Sequence, residues 1–192
     1  YLPHPRPRAA YAAMITDLDE HVGSILARLK KYNLDKNTIV IFTSDNGPTY
    51  NGGVDYKFFN SAAGWRGLKG SVYEGGLRVP LIVKWPKKIK ANTTSDVVSY
   101  FPDWFPTIAE MAGIKNIKKK IVKLDGESLL GTLRGKKFKK RKEPMIWEFR
   151  EYGGLIAIRE GKWKLIRKRL LSAKPTAWEL YNIEEDEKES IN

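Results

Sequence analysis

Cysteine is absent from the 192-residue chain. Disulfides, thiolate metal sites and a cysteine nucleophile are therefore excluded, while the compartment stays open because many exported proteins lack bridges. Histidine is scarce, with two residues. No apolar run reaches the roughly 18 residues of a membrane-spanning helix. The opening residues, YLPHPRPRAAY, lack the apolar core of a signal peptide. The chain opens on Tyr1 rather than Met, which reads as a fragment or a processed piece. What is present points to a folded protein: 42% of the residues are hydrophobic and 6 are Trp, enough for a core in one good-sized domain or in one larger and one smaller layer. The formal net charge of +13 predicts attraction to polyanions.

Two stretches carry the chemistry. In TIVIFTSDNGP, Thr38 to Pro48, the apolar run Ile39 to Phe42 ends abruptly in Ser44, Asp45, Asn46 and Gly47. That pattern predicts a fully buried strand delivering polar side chains into a loop. Ligands of open α/β sheets bind outside the carboxyl ends of such strands. Asp45 and Asn46 offer adjacent hard oxygen donors, the kind that suits calcium or magnesium, although the same residues also build ordinary turns. In RGLKGSVYEGGLRVP, Arg66 to Pro80, Lys69 stands between Leu68 and Gly70. A lysine ammonium is a compact charge with three donors, suited to a tetrahedral oxyanion, and Gly67, Gly70, Gly75 and Gly76 let the backbone approach one. The plainer alternative is a surface lysine in a turn. Leu81 to Trp85 reads as a further strand.

Around these stretches, Pro3, Pro5 and Pro7 predict an extended start, with His4 among them. Tyr11, Met14, Ile15, Leu18, Val22, Ile25, Leu26 and Leu29 form one apolar stripe of a helix that Lys30, Lys31 and Asn33 bring to a close. His21 borders that stripe as a packing or surface residue. The loop from Gly47 to Gly64 is too long for a mere connector, and its Asn51, Asp55, Lys57 and Asn60 are either substrate contacts or plainly solvated. Phe101 to Ala112 predicts a short helix stopped by Gly113, and Leu124 to Gly135 a loop closing into a helical turn. Met145 to Arg150, Leu155 to Arg159, Lys162 to Arg167 and Trp178 to Tyr181 are four strand-like runs, a small antiparallel sheet whose Trp residues are expected in the core. Basic residues gather at Lys115, Lys118, Lys119, Lys120 and Lys123, at Lys136 to Lys142 and at Arg159 to Arg169, and acidic ones at Glu184 to Glu189. The basic runs are either solvated loops or a guide rail for an acidic polymer. Only Phe138 interrupts the longest, so no specific nucleic-acid site is expected.

The order SDNGP, FFNS, RGLKGSVYEGGLRVP and Trp85-Pro86, followed by FPDWFPTIAEMAGI and WEFREYGGLIAIREGKWKLI, resembles the carboxyl-terminal half of the formylglycine-dependent sulfatases, in the alkaline-phosphatase-like superfamily. The resemblance runs from about Tyr11 to Asn192. It implies an α/β fold, part of a sandwich with a mostly parallel sheet and flanking helices, plus a small carboxyl-terminal antiparallel subdomain. Residues 1–135 would belong to the catalytic α/β domain and 136–192 to the subdomain. By the same resemblance Lys69 is the catalytic lysine touching the sulfate ester, Asp45 and Asn46 are metal ligands, and His4 stands where a Pro-His pair supplies a sulfate contact. Many relatives carry a His where this chain has Thr49, which leaves substrate preference open. The C/S-x-P-x-R motif that yields formylglycine is missing, as is the aspartate pair that completes the metal site. No nucleophile is thus expected in this chain, which alone should not turn over. The amino-terminal half of the fold is its implied partner and the source of formylglycine. Calcium, with magnesium as the other choice, is the implied cofactor. The implied substrates are sulfated carbohydrates or aryl sulfates, and the implied location is periplasmic or secreted. Two other readings remain: a phosphoester hydrolase of the same superfamily, which would need a Ser or Thr nucleophile and more His ligands, and a non-catalytic polyanion-binding module.

Overall fold

A 26-residue helix, α1 (Arg6–Lys31), opens the computed structural model, which describes residues 3–114, 117, 121, 123–138 and 140–191. The expected extended start is shorter than the prolines suggest. Pro7 lies in the first turn of α1, where a missing N–H breaks no intrahelical bond and a fixed φ suits the helix. Arg28, Lys30 and Lys31 occupy the last turn, where the helix dipole favours cations. The apolar stripe forms as its spacing predicts, yet it is not closed over: Met14 is 67% and Ile25 58% exposed, and no residue of α1 is buried.

Strands β1 (Val40–Thr43) and β2 (Leu81–Lys84) make a two-stranded sheet. The expectation that Ile39 to Phe42 would be fully buried is corrected, since Val40, Ile41 and Phe42 are half-buried and Thr43 is exposed. A four-residue helix, α2 (Glu74–Leu77), follows the Lys69 loop.

The chain forms two compact units, Tyr1–Asp35 with Ile41–Ile82 and Pro144–Asn192, and Lys36–Val40 with Val83–Glu143. The second holds α3 (Trp104–Met111) and α4 (Leu130–Leu133). Its anchor is Asp103, fully buried and gripped by both ends of the Arg141 guanidinium at 2.8 and 2.6 Å. The same carboxylate accepts the backbone N–H groups of Tyr100 and Glu127. The run Lys136 to Lys142 is therefore not uniformly solvated: Arg141 turns inward to satisfy Asp103, while Lys136, Lys137, Lys140 and Lys142 are exposed. Lysines 115, 118–120 and 139 lie outside the described residues.

In the first unit, β3 (Met145–Phe149), β4 (Leu155–Glu160), β5 (Trp163–Lys168) and β6 (Glu179–Asn182) form the antiparallel sheet predicted from their alternation, each beside its sequence neighbour. Register places Trp147, Ala157, Ile166 and Glu179 in one row on the inner face and Ile146, Ile158, Leu165 and Leu180 in one row on the outer face. Leu155, Ala157 and Ile166 pack with Tyr181, Ile183, Val72 and Tyr73, so the sheet closes against the loop that carries Lys69. Not all the tryptophans are core residues. Trp147 packs on the core, but Trp163 is 48% exposed, because β5 turns Lys164 and Ile166 inward instead, and Trp178, just before β6, is 44% exposed.

On this assignment of faces, Ile166→Ala should lower the unfolding free energy by about 2–5 kcal/mol. Ile146→Ala, on the outer face, changes it by roughly 0.5 kcal/mol. Urea titration of both variants checks this, and equal costs would contradict it.

Candidate active site

The SDNGP turn and the Lys69 loop meet through backbone bonds. Gly47 N–H donates to the Gly76 carbonyl at 2.9 Å, and Lys69 N–H donates to the Pro48 carbonyl at 2.8 Å. The approach is so close that a Cβ at Gly47 would stand 2.0 Å from the Gly75 carbonyl oxygen, which only glycine avoids. Within the Lys69 loop, Ser71 N–H closes a turn on the Leu68 carbonyl at 3.0 Å, and Gly70 takes the left-handed φ of 83° that this turn requires. Gly75 N–H returns to the Arg66 carbonyl at 2.7 Å, which closes the loop at its base.

Two sequence-predicted residues emerge from this seam uncommitted. Asp45 and Lys69 are both exposed, and neither has a charged partner among the described residues. Asn46 is half-buried, and its amide Nδ2 donates to the Gly47 carbonyl at 2.9 Å, which leaves Oδ1 as the free acceptor of the pair. Asp45 and Asn46 carry oxygens of the type a hard cation takes, and no group of three or more His, Cys, Asp or Glu side chains able to hold a metal gathers among the described residues. His4 is exposed, its ring 5.5 Å from that of Phe58 in the long loop. Of the loop residues, Asp55 is taken: it pairs with Arg8 at 2.8 Å and accepts Phe58 N–H, and these bonds hold its carboxyl below the usual range. Asn51, Lys57 and Asn60 are exposed.

Beneath the Lys69 loop lies a charge cluster that the sequence did not announce. The Lys164 ammonium is fully buried, 2.8 Å from a carboxylate oxygen of Glu74 and 2.8 Å from one of Glu189. Arg78 reaches Glu74 at 2.6 Å, and Arg159 lies 3.9 Å from it. Burial alone would raise the Glu74 carboxyl, but Lys164 and Arg78 outweigh it and hold the group below its ordinary value. For Glu189 burial wins over Lys164 and the carboxyl is pushed up. A second cluster adjoins the first. Tyr73 and Tyr181 donate to Glu179 at 2.5 and 2.8 Å, and Lys168 lies 2.8 Å from the same carboxylate. Burial and the bond to Glu179 push Tyr181 up to about 12. Alternation alone would have turned the Trp163 and Leu165 face of β5 inward, and Glu189 sat in what reads as an acidic tail. Only the position of Glu74 beside the Lys69 loop offered a signal.

The profile of the Sulfatase family matches residues 4–114, and that of the N-sulphoglucosamine sulphohydrolase C-terminal region matches residues 64–192. A sulfatase of Formosa agariphila is 33% identical over 210 residues, covering 96% of this chain and 35% of that protein. An N-acetylgalactosamine-6-O-sulfatase of Bacteroides thetaiotaomicron is 34% identical over 176 residues, covering 86% of this chain and 33% of that protein. Among solved structures, Ps i-CgsB in complex with k-i-k-neocarrahexaose superposes with a TM-score of 0.80 at 30% identity, covering 99% of this chain and 40% of that one. The chain spans about a third of the length of these curated relatives.

The cluster beneath the loop has a signature in pH. Because the Glu74 carboxyl is depressed in the folded state, its contribution is full above its ordinary value of 4.5 and is lost as pH falls through the folded value. Glu189, raised, acts in the opposite sense: it favours the fold while protonated and loses that contribution as pH rises through its folded value. Glu74→Gln should therefore destabilise the protein by about 3–5 kcal/mol near neutrality. The deficit should shrink as pH falls below 4.5. Urea midpoints across pH check it, and a deficit that does not change with pH would contradict it.

Proposed function

The chain belongs to the sulfatase family, and from that premise we propose that it is the carboxyl-terminal part of a hydrolase of sulfate esters. The observation that carries the reading is the seam between the SDNGP turn and the Lys69 loop, which exposes on adjoining loops a carboxylate and an ammonium that have no charged partner among the described residues. An anionic ester and a divalent cation are the complementary guests for that pair.

In this proposal Asp45 and Asn46 supply oxygen ligands to calcium, with magnesium as the alternative that the same donors accept. A cation of this kind needs about six or more ligands. The remainder, with the formylglycine nucleophile, would come from the amino-terminal part of the fold. When bound, the cation polarises a sulfate oxygen and formylglycine supplies the attacking hydroxyl. Lys69 donates to an oxygen of the ester and offsets the charge that develops there as the alcohol leaves. His4, its ring 5.5 Å from that of Phe58, would be a further, outlying sulfate contact.

The amino-terminal part also supplies the cover that α1 lacks, since Met14, Ile15, Leu18 and Ile25 are 47–67% exposed along one stripe. In the complete enzyme, residues 1–135 would complete the catalytic α/β domain and 136–192 form the small antiparallel subdomain. The substrate class we favour is a sulfated carbohydrate, in keeping with the names of the relatives, and the location a periplasmic or secreted one. Among the described residues no helix is long and apolar enough to cross a membrane.

Lys69→Ala in the complete enzyme should lower kcat about a hundredfold or more on an aryl or sugar sulfate. Unchanged kcat and KM would remove Lys69 from the reaction. Asp45→Ala should weaken calcium retention measured by equilibrium dialysis, independently of turnover, and undiminished retention would take Asp45 out of the metal site.

A further inference from the structure

Glu189 is fully buried although it lies in the acidic carboxyl-terminal stretch, and it touches both ends of one loop. Its side-chain Oε2 accepts the backbone N–H of Glu74 at 2.6 Å. Its main-chain carbonyl accepts from the Arg66 guanidinium at 2.7 Å. Arg66 and Glu74 bracket the segment that carries Lys69, and the Gly75 N–H to Arg66 carbonyl bond joins them at the base. One residue, more than a hundred positions away in the chain, thus spans the loop's two feet.

The clamp is itself held from below and from behind. Lys164 bridges the carboxylates of Glu74 and Glu189 at 2.8 Å each. Glu189 takes a left-handed φ of 55°, and its N–H bonds the Asp186 carbonyl at 3.1 Å. The Asp186 carboxylate accepts the N–H groups of Ser190 and Ile191 at 2.7 and 2.8 Å, which fixes the turn on the far side of Glu189. Arg66 is also stacked 4.0 Å over the Tyr73 ring and donates to the Tyr181 hydroxyl at 3.1 Å. The far side of the loop is tied by the backbone bond from Lys69 N–H to the Pro48 carbonyl at 2.8 Å. The Lys69 side chain has no charged partner of its own among the described residues, so the direction of its ammonium depends on the loop that bears it.

We propose that Glu189 is a positioning residue for Lys69: by gripping Arg66 and Glu74 together it fixes the loop that aims the ammonium at the substrate's anionic group. This rests on the reading of Lys69 as a substrate contact. Loss of the Glu189 carboxylate frees one foot of the loop, and loss of the Arg66 guanidinium frees the other. Displacement of a charged contact by about 1 Å costs roughly a hundredfold in rate at worst.

A double-mutant cycle in the complete enzyme tests the proposal. Glu189→Ala should lower kcat/KM on a sulfate ester about tenfold to a hundredfold when Lys69 is present. It should cause no further loss in the Lys69→Ala background, because the residue acts only through that ammonium. Arg66→Ala should behave in the same way, and it carries the test if Glu189→Ala does not fold. Equal losses in the two backgrounds, or a lower melting temperature with kcat/KM unchanged, would make Glu189 a structural residue and overturn the proposal. Lys69→Ala without effect would instead overturn the substrate role on which the proposal rests, a different and separately visible result.

Discussion

The first unit depends on a lysine ammonium buried between two carboxylates. Removing Lys164 from water is costly by itself, and the depressed Glu74 carboxylate at 2.8 Å is its main counter-charge, with an oxygen of Glu189 also at 2.8 Å. Several features meet at this pairing. β5 turns Lys164 and Ile166 inward and Trp163 outward. Glu74 opens α2, and its N–H donates to Glu189 of the acidic carboxyl-terminal stretch. Arg78 and Arg159 complete the balance around Glu74.

On this base the candidate site is built mostly from backbone. The SDNGP turn and the Lys69 loop are joined by main-chain bonds at Gly47 and Lys69, with glycine where no Cβ fits. A seam made this way leaves the side chains of Asp45 and Lys69 exposed and without a charged partner among the described residues, as the proposed binding role requires. Other charges of the first unit are committed to one another: Asp55 to Arg8, and Glu179 to Lys168 and two tyrosines. Free and committed charges are thus separated, as a binding site on a rigid scaffold requires.

Local pattern made the elements legible. Period-2 alternation gave β3 to β6 and their hairpins, the apolar stripe gave α1, and the two glycine-bearing motifs pointed to the loops that the fold joins. Long-range charge did not show in the sequence. Lys164 alternates like any strand lysine, and Glu189 sits in an acidic stretch that reads as solvated, because what buries each is a partner about 90 residues or more away. Arg141 was hidden in the same way, inside a basic run, by the distant Asp103. The exposed stripe of α1 and the half-buried β1 differ from expectation for a related reason: sequence pattern says that a face is apolar, not which segment covers it.

The most direct test of the account is sulfate release from an aryl sulfate by the complete enzyme, measured beside cleavage of the matching phosphate or phosphonate monoester, with calcium and after chelation. The account predicts that sulfate ester is the preferred substrate and that chelation abolishes its hydrolysis. Cleavage of the phosphorus ester alone, or sulfate release indifferent to the chelator, would contradict it.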